Sequence, residues 1–154
     1  MKPERKIIKV VKEKIVDESM DECWKELTDF SKETAYWPNI RKIKVTSEKD
    51  NTFEREAVVG LQAFGAKTRQ TLTLDEPNSF HVEFHGDGIK GFRDIRMVEF
   101  ESRKAQIIVS WELHIGNVPE FVLNIIQSQI TKATDNALEK LNQFLLKKCK
   151  GRGL

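Results

Sequence analysis

Few side chains in this sequence are arranged to titrate, attack or hold a metal. Its histidines are His81, His85 and His114, and histidine is the usual general acid or base near neutral pH. His81 and His85 alternate with Phe80, Val82 and Phe84, so on a strand they share the face opposite the apolar set. His114 stands opposite Val109, Trp111 and Leu113 in the same way. With apolar faces inward, all three point to solvent. No HxH or HExxH spacing occurs, and His81 and His85 lie about 13 Å apart on a strand, too far to share one ion. Cys23 and Cys149 belong to no CxxC pair. Cys23 falls on the apolar stripe Met20, Cys23, Trp24, Leu27 and reads as a small buried hydrophobe; Cys149 reads as an inert exposed thiol. Ser110 and Ser128 lack a nucleophile elbow. The GDGIKG run at 86–91 precedes a strand rather than a helix, so it reads as a hairpin turn and not a phosphate loop.

Polar residues on apolar faces are more informative. Arg55 shares its strand face with Phe53, Ala57 and Val59, and Gln70 shares one with Thr68, Leu72 and Leu74. Gln129 lies on a helical stripe between Ile125, Ile126 and Ile130. A buried charge or amide needs a partner. Either these three line a cavity and meet a ligand's polar head, or Arg55 pairs with a carboxylate or reaches water. Trp37, Phe53, Phe64, Phe84, Phe92, Trp111, Phe121 and Ile125 read as cavity lining, with plain core packing as the alternative. Of these, Phe53, Trp111 and Ile125 are expected to converge on one internal space. The glycine-flanked loop 60–66 is apolar, so Leu61 and Phe64 either cover the cavity mouth or touch a membrane or partner.

The elements that position these residues follow from periodicity and punctuation. Residues 6–15 read as a strand with Ile7, Val11 and Ile15 on one face, and Ile8 and Val10 on the other. Ser19-Met20-Asp21-Glu22 is a capping box that starts a helix. A second short helix spans 31–36 and is stopped by Trp37-Pro38. Strand patterns follow at 40–49, 52–61, 66–75, 79–86, 92–102 and 105–116, separated by short turns that imply antiparallel hairpins. Asn117-Val118-Pro119-Glu120 then opens a long helix, whose apolar stripe runs from Phe121 to Leu145 and which Gly151 can cap. The fold class is therefore α+β: a curved, seven-stranded antiparallel sheet around a long C-terminal helix.

Composition sets outer bounds. The 154 residues are 39% hydrophobic and 32% charged with a net charge of +2, which suits a single domain over 1–154 with a basic tail at 147–154. Nothing in that balance calls for nucleic acid or another polyanion, and no cofactor is indicated. The N-terminal MKPERKIIKVVKEK lacks an apolar core, and no apolar run approaches the length of a membrane span, so the expected location is cytoplasmic. Basic residues gather at Lys2, Arg5, Lys6, Lys9, Lys12 and Lys14, and again at Lys147, Lys148, Lys150 and Arg152. With Leu61 and Phe64 they would suit contact with an anionic membrane; a helix dipole and a charged edge strand account for them equally well.

The run IVDESMDECWKELTDFSKETAYWPNIRKIKV at 15–45, with Trp24, Asp29-Phe30 and Trp37-Pro38, resembles the opening of START-like (SRPBCC) proteins. This superfamily includes the birch pollen allergen and the polyketide cyclase/dehydrase group. NVPEFVLNIIQSQI at 117–130 resembles the family's final-helix entry. The resemblance implies a helix-grip fold enclosing a hydrophobic cavity. It implies binding, with or without transport, of a small hydrophobic or amphipathic ligand such as a lipid, sterol, quinone or polyketide-like molecule. A cyclase/dehydratase enzyme and a ligand-free interaction module are the alternatives. No dense set of polar catalytic residues occupies matching positions.

Overall fold

Alternation and turn chemistry do produce strands at the expected places. The computed structural model describes residues 6–38, 40–61, 64–86, 89–101, 103–116 and 118–151, without the side chains of 59–66 and 148–151. In chain order the elements are β1 (Lys6–Val16), α1 (Met20–Leu27), a 3-10 turn (Phe30–Lys32) running into α2 (Glu33–Tyr36), β2 (Ile40–Lys49), β3 (Thr52–Leu61), β4 (Phe64–Asp75), β5 (Ser79–His85), β6 (Ile89–Glu101), β7 (Lys104–Ile115) and α3 (Glu120–Gly151). The Ser19 hydroxyl caps α1 by accepting from the Glu22 amide at 3.3 Å, while the Ser19 amide donates to Glu18 Oε1 at 3.2 Å. Asn117, expected to cap α3, lies outside the described residues.

The strands form one antiparallel sheet in the order β1-β7-β6-β5-β4-β3-β2. Six strands follow as a meander, and β1 returns to pair with the last of them, Ile8 opposite Leu113 and Val10 opposite Trp111. That pairing selects the face of β1. Ile8, Val10 and Val16 are buried, whereas Ile7, Val11 and Ile15 are exposed. The edge strand β2 carries two register breaks, Ile40/Lys42 and Val45/Ser47, and mostly exposed side chains. Bulges and charge discourage pairing with a further strand.

One face of the sheet carries the core, including Ala57, Leu72, Val82, Phe84, Ile95, Met97, Ile107, Val109 and Leu113. The long helix does not cover this face alone. α3 packs mainly on β1, touching β7, α1 and α2 more lightly, while α1 packs on β6 and β7. The α1 end reaches the rest through aromatic edges: Trp24 meets Phe80 at 6.3 Å, and Phe30 meets Phe80 at 5.6 Å and Phe53 at 6.3 Å. The buried stripe of α3 is Ile126, Ile130, Thr134, Ala137, Leu138, Leu141 and Leu145, near the ideal helical period. At its start Phe121 is 66% and Ile125 42% exposed, so Ile125 does not join Phe53 and Trp111 in a closed interior. It sits about 100° around the helix from Ile126 and falls at the margin of the stripe.

An ionic seam joins β1 to its neighbours on the surface: Lys9 to Glu112 at 3.5 Å, Lys12 to Asp135 at 3.5 Å and Lys14 to Glu139 at 3.1 Å. Half of the expected N-terminal basic cluster is thus matched by carboxylates. The side chains of Leu61, Phe64, Lys148 and Lys150 lie outside the described residues. No helix among the described residues is long and apolar enough to cross a membrane.

Gly91, on β6, adopts φ +143°, and a Cβ there would stand 2.0 Å from the Glu112 carbonyl oxygen. Backbone cannot yield that much. Gly91→Ala should therefore lower the unfolding free energy by about 3 kcal/mol or more in urea titration. Gly116→Ala, whose added methyl meets nothing within 4 Å, should change it by less than about 0.5 kcal/mol.

Candidate functional site

Strand parity explains why charges end up inside. Residues 53, 55 and 57 of β3 share the inward face, as do 68, 70 and 72 of β4 and 93, 95 and 97 of β6. Arg55, Gln70 and Arg93 therefore point toward the helical layer, where α2 presents Glu33. Four buried polar residues converge there, with Glu33 5%, Arg55 3%, Gln70 0% and Arg93 1% exposed.

Arg55 and Glu33 form a two-pronged pair: Nη1 donates to Oε1 at 2.8 Å and Nη2 to Oε2 at 2.6 Å. Arg55 Nε donates to Gln70 Oε1 at 3.0 Å. The Arg55 guanidinium is thus engaged within the protein, as carboxylate pairing would have it. Arg93 is less well served. Its Nη2 lies 3.6 Å from Glu33 Oε2, and its Nε and Nη1 have no hydrogen-bond partner among the described residues. Its guanidinium instead lies over two indoles, with Cζ 4.6 Å from the Trp37 ring centre and 5.4 Å from that of Trp111. Burial pulls its pKa down to about 10, with Glu33 opposing the fall.

Aromatic rings wall this group. Trp111 stacks on Phe84 at 5.8 Å with planes 5° apart and meets the edge of Trp37 at 5.5 Å. Trp111 Nε1 donates to Thr134 Oγ1 at 3.0 Å, tying β7 to α3, and the Thr134 hydroxyl donates to the Ile130 carbonyl. A second buried carboxylate, Glu26, accepts from Lys32 Nζ and from the Tyr36 hydroxyl, each at 2.9 Å. Burial and this carboxylate raise the Tyr36 phenol above its ordinary range. Tyr36 also meets Phe144 at 5.3 Å, and Lys140 Nζ donates to the Ala35 carbonyl at 2.8 Å, so α1, α2 and α3 are linked behind the site.

Of the residues singled out in the sequence, Trp37, Arg55, Gln70, Phe84 and Trp111 come together, with Phe53 partly buried beside them. Phe92 does not. It has the opposite parity to Arg93 and packs its ring on His81 at 4.9 Å, on the outer face. Phe121 is exposed, and Gln129 borders an open groove of about 420 Å³ with Pro38, Ala133 and Asn136. The Phe64 side chain lies outside the described residues. The three histidines are partly exposed among Glu83, Asp94 and Glu112 on the outer face. Glu33 and Arg93 complete the cluster. Arg93 carries the signal that picks out Arg55, a charge on the parity of Ile95 and Met97. Glu33 gives none, because a four-residue helix has no period to read.

Glu33→Gln leaves two buried guanidiniums without a carboxylate and should cost about 3–5 kcal/mol by urea denaturation. The Cys23 thiol is pushed up to about 12, chiefly by burial, then by Glu18 and Glu22. In a Cys149→Ser background Cys23 should resist Ellman's reagent at pH 8 until denaturant is added. The unfolded thiol ionises near its ordinary 9 while the folded one keeps its proton to about 12. Stability should therefore fall as pH rises from 9 toward 12, and Cys23→Ala should reduce that fall.

No protein-family model and no curated protein matches the sequence. Solved structures do match the fold. The Zhui aromatase/cyclase of Streptomyces sp. R1128 superposes with a TM-score of 0.74 over 91% of this chain and 96% of its own, at 10% identity. A START superfamily protein from Mycobacterium smegmatis gives 0.70 over 90% and 99%, at 15% identity. Norcoclaurine synthase from Thalictrum flavum, solved with dopamine and hydroxybenzaldehyde, gives 0.69 over 93% and 88%, at 17% identity. Identities this low speak to architecture alone: the chain shares the helix-grip fold of these structures.

Proposed function

We propose that the protein binds a small hydrophobic or amphipathic molecule between the inward face of the sheet and the helical layer. The observation that carries this reading is the set of buried polar atoms left unpaired there. Thr68 Oγ1, Gln70 Nε2, Arg93 Nε and Arg93 Nη1 lie on the inward face of the sheet with no partner among the described residues, beside apolar and aromatic side chains. Each such atom costs about 1–3 kcal/mol if nothing satisfies it, and native proteins seldom leave them so. A mostly apolar surround with a few convergent polar groups is the usual composition of a ligand site. A filled interaction module would have no use for these unpaired donors. Acid–base catalysis is less well supported, since His81, His85 and His114 face outward, away from the buried cluster. Lipids, quinones, sterols and polyketide-like molecules all meet this description.

Native and denaturing mass spectra of freshly purified protein should differ by the mass of a co-purified small molecule. After its removal, N-phenyl-1-naphthylamine should bind saturably at one site. Trp111→Ala, checked for folding by circular dichroism, should weaken that binding by about tenfold through loss of the stacked ring. Unchanged binding by the folded variant would overturn the assignment.

A further inference from the structure

Among the described residues, four of the five unpaired buried side-chain atoms lie on the sheet; the fifth, Gln129 Oε1, is an acceptor on α3 beside the open groove. Arg93 Nε and Nη1 can only donate. The amide of Gln70 is oriented by Arg55: its Oε1 must accept from Arg55 Nε at 3.0 Å, so the unpaired Nε2 is a donor too. Thr68 Oγ1 can donate as well as accept. The inward face of the sheet therefore offers donors that await an acceptor.

The charges point the same way. Glu33, Arg55 and Arg93 are all buried, and they comprise two cations and one anion. Arg55 engages both Glu33 oxygens. Arg93 approaches the same carboxylate only to 3.6 Å and otherwise rests on Trp37 and Trp111. Cation–π contact compensates a buried guanidinium only in part. Even with its pKa drawn down to about 10, Arg93 keeps its charge at neutral pH, so the cluster carries one excess positive charge.

We propose that the molecule taken up is an amphipathic acid bearing a single negative charge, with its anionic group against Arg93 and its apolar body among Trp37, Phe84 and Trp111. The assignment rests on the binding function proposed above and specifies its ligand class. A singly charged carboxylate brings the cluster to neutrality and supplies acceptors for the unpaired Arg93 N–H groups; a dianionic phosphate overshoots. Charged hydrogen bonds in a buried site are stronger than neutral ones, so the acid is preferred over a neutral molecule of the same shape.

Dodecanoate, dodecan-1-ol and dodecyl phosphate, each displacing N-phenyl-1-naphthylamine at pH 7.5, test this directly. Dodecanoate should bind about tenfold or more tightly than dodecan-1-ol, and dodecyl phosphate no more tightly than dodecanoate. Arg93→Met should lower the affinity for dodecanoate by about tenfold or more, and that for dodecan-1-ol by less, so that the preference for the acid disappears. Equal affinities for the acid and the alcohol in the unaltered protein would overturn the proposal, and that comparison needs no variant. A preference for the acid that survives Arg93→Met in folded protein, or tighter binding of the phosphate, would also overturn it. Failure of the probe and all three molecules to bind would instead remove the binding function itself.

Discussion

Glu33, a buried carboxylate that faces two buried guanidiniums, is the constraint around which this molecule is organised. Arg55 comes from β3 and Arg93 from β6, while Glu33 sits on the four-residue α2. A helix that short has little stability of its own. It is held by what it touches, and the two-pronged Arg55–Glu33 pair is its strongest tie to the sheet. That tie also places Trp37, the residue after α2, over Arg93. The aromatic wall follows, with Trp37 against Trp111 and Trp111 against Phe84. Buried ion pairs contribute little net stability once desolvation is counted, but removing one partner is costly. The cluster therefore specifies where α2 sits more than it raises the stability of the whole.

The remainder of the fold supports that arrangement by ordinary means. β1 closes the sheet against β7, and α3 lies along β1 through a stripe of Ile126, Ile130, Leu138, Leu141 and Leu145. Trp111 stands at the junction: its ring packs inside and its N–H reaches Thr134 on α3. One side chain thus couples the helix to the wall of the site. Arg93 shares that wall, and its excess charge is a local liability that a bound anion would relieve.

Much of this architecture could be read from the sequence, for clear reasons. Hairpin strands announce themselves by alternation and by turns such as Asp50-Asn51, where Asp50 adopts φ 55°, a conformation that Asp tolerates. Ser19 and the α3 stripe were equally plain. The face of β1 was not, because Ile7, Val11 and Ile15 compete with Ile8 and Val10, and only pairing with β7 decides between them. Phe92 looked like a lining residue by type, yet its parity sends it outward to His81. The sequence pattern shows only α3 as a long helix within the curved sheet, whereas α1, the 3-10 turn and α2 also cover its concave face. Arg55 was legible through its apolar neighbours, but its partner Glu33 was not. A buried carboxylate on a short helix leaves no periodic trace and becomes visible only when the chain is folded.

Arg93 is one cation more than its own cluster with Glu33 and Arg55 can balance. The most direct test is the stability of ligand-free Arg93→Met in urea denaturation. Methionine fills much of the same space while leaving the Arg55–Glu33 pair neutral and hydrogen-bonded. The account predicts a variant as stable as the unaltered protein or more so, since replacing an uncompensated buried charge by an apolar side chain is neutral or stabilising. A loss of about 3 kcal/mol or more, the signature of breaking a needed buried pair, would contradict it.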